Sequence, residues 1–112
     1  MGSQEIARKI SQIIAEHQGE NIVLLGLKEV SLLTDYFVIC SGQSRRHTQA
    51  IADYVEEAMA KAQVPLERQE GYVGGRWILL DFGEVIVHIF EQEERQIYNL
   101  EKLWEDGLVI QL

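Results

Sequence analysis

The side chains with most chemistry to offer are Asp81, Glu84 and His88, with Trp77 close upstream. They lie in one block, Trp77-Ile78-Leu79-Leu80-Asp81-Phe82-Gly83-Glu84-Val85-Ile86-Val87-His88-Ile89-Phe90. Acidic pairs on neighbouring strands suit a divalent cation and phosphoryl transfer, and Asp35 could supply a further carboxylate. Asp35, however, starts one apolar run and Asp81 ends another, so nothing in the sequence joins them. Asp81 and Glu84 also flank a glycine, a place where solvated acids commonly serve a turn. His88 has no histidine or cysteine at ligand spacing and no nucleophile tied to it by motif. The reading is therefore no catalytic residue, no metal ligand and no cofactor. A metal-dependent phosphoryl-transfer enzyme remains the alternative.

A second candidate is Ser41-Gly42-Gln43-Ser44, followed by Arg45 and Arg46. It joins an apolar run to a helical pattern, and free N–H groups at such a junction can hold an anion. It lacks the Gly-Lys-Ser/Thr ending of a phosphate loop, and no GxGxxG follows. A tight turn with Ser44 as helix N-cap is the expected outcome.

These residues need a scaffold. The two apolar runs around Asp81–Glu84 predict a β-hairpin. With a two-residue turn at Phe82-Gly83, alternation puts Ile78, Leu80, Val85, Val87 and Ile89 on one aliphatic face that belongs against helices. Trp77, Leu79, Asp81, Glu84, Ile86, His88 and Phe90 share the other face, with His88 opposite Trp77. Moving the turn to Gly83-Glu84 keeps this sorting. A merely solvated face would be polar; this one mixes aromatics, an acid and a histidine, as protein-binding surfaces do. The expected partner contacts are Trp77, Leu79, Asp81, His88 and Phe90, with Tyr98 extending the aromatic surface.

Around the hairpin, Ile6, Ile10, Ile13 and Ile14 predict a helix over Gln4–His17, capped by Ser3 and ended by Gly19. Strands are expected over Ile22–Leu27 and Asp35–Ser41, with Lys28–Thr34 left unassigned. Ser44 opens a long helix to about Gln63, its core stripe being Ile51, Val55, Ala58, Met59 and Ala62. Pro65 stops it. A short strand near Leu66–Glu70 follows. Beyond the hairpin, Asn99 can cap a helix over Leu100–Asp106 ended by Gly107, and Leu108–Ile110 is a strand or a docked tail. The fold class is α/β: a single domain over 1–112, with helices packed on a mixed β-sheet.

Composition narrows the partners. Acidic residues outnumber basic ones 18 to 10, a formal net charge of −8, which disfavours nucleic acid as the main ligand and favours a basic protein. Cys40 is the sole cysteine, so one chain can form neither a disulfide framework nor a multi-cysteine zinc site. No run has the length of a membrane span or the core of a signal peptide, so a cytoplasmic location is expected.

Three blocks of the chain together resemble the ribosomal silencing factor (RsfS, or Iojap) family. The first is Asp35-Tyr36-Phe37-Val38-Ile39-Cys40-Ser41-Gly42-Gln43-Ser44, and the second is the hairpin from Trp77 to Phe90. The third is Arg95-Gln96-Ile97-Tyr98-Asn99-Leu100-Glu101-Lys102-Leu103-Trp104. Their order and spacing fit over nearly the whole chain; Ile97 stands where the family usually has Phe, and Glu84 where it often has Asp. The resemblance implies a nucleotidyltransferase-like fold without that superfamily's catalytic signature; the alternative is a metal-dependent nucleotidyltransferase-like enzyme using the Ser41–Ser44 loop for phosphate and Asp35 with Asp81 for metal. It also implies binding to ribosomal protein fourteen of the large ribosomal subunit, which blocks joining of the small and large subunits and represses translation. A homodimer using the same aromatic face is a further possibility that the sequence leaves open.

Overall fold

The computed structural model describes residues 1–28 and 31–95 and the backbone of 108–110. Helix α1 spans Ser3–Glu16 and α2 spans Arg45–Lys61. The strands are β1 (Glu20–Gly26), β2 (Tyr36–Gly42), β3 (Arg68–Glu70), β4 (Trp77–Asp81), β5 (Val85–Glu91) and β6 (Leu108–Ile110). They form one mixed sheet in the order β3-β4-β5-β2-β1-β6. Among the described strands only β2 and β5 run parallel; the other neighbours are antiparallel. A parallel pair cannot be closed by a tight turn, and the connection from β2 to β5 carries α2 onto the sheet.

Both helices pack on the same side of the sheet, α1 over β1, β2 and β5, and α2 over β2, β4 and β5. The aliphatic face predicted for the hairpin is the one they cover: Ile78, Leu80, Val85, Val87 and Ile89 are all 0% exposed. Ile6, Ile10 and Ile14 of α1 and Ile51, Val55 and Met59 of α2 complete this core. Ala58 packs against it as a partly buried residue, and Ala62 is half-buried at the helix end.

The helix ends depart from expectation in instructive ways. Ser3 is the first helical residue and is buried, while Gly2 holds the cap position and its carbonyl accepts Ile6 N at 3.0 Å. At the other end Gln18 takes the left-handed conformation (φ 62°), and Gly19 N donates to Ile14 O at 2.8 Å. Gly19 is thus the residue after the left-handed turn; a Cβ there would run into Ile14. Gln63 repeats the device behind α2 (φ 61°), with Val64 N donating to Met59 O, so the helix stops before Pro65 is reached. Ser44 does cap α2, its Oγ accepting His47 N at 3.1 Å. Ser44→Ala should lower stability by about 1 kcal/mol in thermal or denaturant melts, leaving one N–H of the first turn unpaired.

Strand β1 starts earlier than expected, at Glu20, and carries an irregularity between Glu20 and Val23 where Asn21 adopts φ 51°. The Leu66–Glu70 strand shortens to Arg68–Glu70, all three residues exposed at the sheet edge. Leu108–Ile110 does form a strand, antiparallel to β1. The helix expected over Leu100–Asp106, its Asn99 cap and Tyr98 lie outside the described residues.

Candidate functional site

The hairpin turn sits at Gly83-Glu84, with Phe82 N donating to Val85 O at 2.9 Å, not at Phe82-Gly83. The reason is backbone handedness. Gly83 adopts φ 84°, a conformation that favours glycine and suits the first central position of a tight hairpin turn. Asp81 Oδ1 accepts Gly83 N at 2.8 Å and steadies it. The face sorting survives but the pairing shifts: Leu79, not Trp77, lies opposite His88, and Trp77 lies opposite Phe90.

Register carries this second face across the sheet. One row runs Arg68, Asp81, Ile86, Phe37, Leu25; the next runs Glu70, Leu79, His88, Ile39, Val23; a third holds Trp77, Phe90 and Ser41. None of the described helices covers this face. Trp77, Leu79 and Asp81 are half-buried, and so are Phe37 and Ile86 beside them. The last two were not among the contacts read from the sequence. Phe37 could have been found only by knowing that β2 is parallel to β5, which places it in register with Ile86.

His88 and Phe90, expected as contacts, are buried at 4% and 0% exposure. They form the support beneath the surface. Trp77 stacks on Phe90 with ring centroids 5.0 Å apart, and its Nε1–H donates to His88 Nδ1 at 3.0 Å. Phe37 meets the His88 ring edge-on at 4.5 Å. Since Nδ1 accepts, the neutral ring carries its proton on Nε2, for which no acceptor exists among the described residues. Burial lowers the His88 pKa to about 4, so the ring is neutral at pH 7. The histidine therefore locks the indole in place as an uncharged acceptor. Tyr98, the sixth expected contact, lies outside the described residues.

The other chemical candidates resolve differently. At the β2–α2 junction, Gln43 N donates to His47 Nδ1 at 3.0 Å and His47 N to Ser44 Oγ, so both amides already have internal acceptors. Arg95 donates to Ser41 Oγ and to Asn21 O, each at 2.8 Å, tying the chain after β5 to the irregular start of β1. Burial raises the Cys40 thiol to about 12, which leaves it a small apolar core group. Asp35 and Asp81 stand at the same end of the sheet but β5 runs between them. Among the described residues no group of three or more His, Cys, Asp or Glu is placed to hold a metal ion, and no helix is long and apolar enough to cross a membrane.

Fold and site define a mixed-sheet α/β protein with its helices on one face and a half-exposed aromatic and acidic surface on the other. Its family model is "Ribosomal silencing factor during starvation", matched over residues 1–112, and the chain belongs to that family. A relative named ribosomal silencing factor RsfS from Halalkalibacterium halodurans is 38% identical over 112 residues, covering 100% of this chain and 96% of the relative. A crystal structure of a protein from Chromobacterium violaceum superposes with a TM-score of 0.90 at 30% identity, covering 94% of this chain and 88% of that one. A mouse relative named mitochondrial assembly of ribosomal large subunit protein 1 is 32% identical over 95 residues, 82% of this chain and 42% of the relative.

Proposed function

We propose that this chain is a non-enzymatic translation repressor that binds ribosomal protein fourteen of the large subunit and sterically blocks joining of the small subunit. The observation that carries this reading is the half-exposed face of Trp77, Leu79, Asp81, Phe37 and Ile86, in a chain of the ribosomal silencing factor family. The name of the mouse relative also points toward the large subunit. Aromatic and aliphatic groups on a pre-formed strand surface supply desolvated contact area at little entropic cost. The Asp81 carboxylate and the net charge of −8 favour a basic protein over the phosphate backbone of the ribosomal RNA. Purified large and small subunits mixed at physiological magnesium and resolved on sucrose gradients test the reading. The chain at saturation should leave free subunits in place of joined ribosomes. Unchanged joining at saturating protein would overturn it.

A further inference from the structure

The loop between β1 and β2 exposes two adjacent leucines almost completely, Leu32 at 103% and Leu33 at 90% of full exposure. Isolated apolar side chains are ordinary on a protein surface. Two neighbours held outward by a pinned backbone are not. Leu27 N donates to Asp35 O at 2.7 Å and closes the loop at its base, and Ser31 N donates to Leu27 O. Ser31 Oγ accepts Leu33 N at 3.1 Å. Thr34 Oγ1 and Asp35 N then both donate to Glu84 O, at 3.0 and 2.8 Å, fastening the loop to the hairpin turn. The leucines are thereby held at the sheet end where Asp81, Ile86 and Phe37 form one row.

Charge at that end has one predominant sign. Asp35 and Glu84 share the loop–turn junction, Glu67 N donates to Asp81 O, and the Glu67 carboxylate lies against Gly83. Among the described residues the nearby cations are Arg68, which pairs with Glu70 and lies 3.9 Å from Asp81, and Lys28, whose ammonium sits over the Tyr36 ring. An apolar tip at a sheet end with four carboxylates to two described cations disfavours phosphate groups, and with them RNA and an anionic membrane. It suits a protein surface with an apolar recess bordered by lysine or arginine.

Resting on the proposed large-subunit reading, we infer that Leu32 and Leu33 are the apolar anchor of the same docking surface, inserted into a recess of the basic protein partner. The surface then runs from Trp77 along the second sheet face, past Ile86 and Phe37, and ends on the leucine loop. Both side chains are solvated in the free chain, so replacing them removes no packing.

The test is equilibrium binding to purified large subunits for the wild type, the double variant Leu32→Ser/Leu33→Ser, and Val73→Ser. Val73 is 82% exposed, on the loop before β4 whose carbonyls at Tyr72 and Val73 accept from Gln49, away from the leucines. The double variant should melt with the wild type yet bind at least ten-fold more weakly, while Val73→Ser binds normally. Wild-type affinity in the double variant would overturn the inference and leave the large-subunit reading standing. Failure of the wild type to bind subunits would remove both. A double variant that binds subunits normally but loses self-association in sedimentation would assign the leucines to a second copy and likewise overturn the inference.

Discussion

Trp77→Ala should weaken binding to the large subunit by about 2 kcal/mol or more, roughly 30-fold, while the domain stays folded. Leu80→Ala should do the reverse, lowering stability by about 2–5 kcal/mol through the cavity it leaves. The two residues sit on one strand and point to opposite faces. Leu80 is 0% exposed in the core shared with the helices, whereas Trp77 is half-buried on the face that no described helix covers. The indole is held by its stack on Phe90 and its bond to His88, so it is ordered before any partner arrives. Melting curves and subunit titrations of both variants decide the matter. If Trp77→Ala unfolds the domain and Leu80→Ala only abolishes binding, the two faces are assigned the wrong way round.

The second large effect is an acid destabilisation traceable to His88. Its pKa falls from 6.5 in the unfolded chain to about 4 in the folded one because burial disfavours the imidazolium. Between those values the unfolded chain binds the extra proton, so stability falls as pH drops from about 6.5 to 4 and levels off below. At about 1.4 kcal/mol per unit, the full loss is about 3–4 kcal/mol. His88→Phe removes the titrating ring and keeps a planar side chain of similar bulk. Urea unfolding at stepped pH should show the wild type losing more stability than the variant across that window. Parallel slopes would mean that His88 is not neutral and buried as described.

Much of this was legible in the sequence, for reasons that differ by residue. Parity along Ile78–Leu80 and Val85–Ile89 sorted the hairpin correctly because the core takes only aliphatic side chains there. The α/β class followed from the alternation of helical and strand patterns. The pairing within the hairpin was not legible: both candidate turns include Gly83, and only its positive φ at the first central position selects Gly83-Glu84. Ser3 and Ser44 look alike as caps, yet only Ser44 Oγ accepts from its helix, because Ser3 is drawn into the first turn and buried. The depth of His88 and Phe90 was hidden for another reason. Strand alternation gives the face a side chain points to, not how deeply its neighbours on β2 and β4 enclose it. Parity puts Ile86 on this face, but Phe37 beside it was not legible, because their adjacency arises from a pairing between strands far apart in the chain.

The most direct measurement of the central claim is a titration of isolated ribosomal protein fourteen into the labelled full chain, with Trp77→Ala alongside. The account predicts saturable binding by the wild type and an affinity about 30-fold lower for the variant. No saturable binding to that protein, in a chain that still binds whole large subunits, would contradict it.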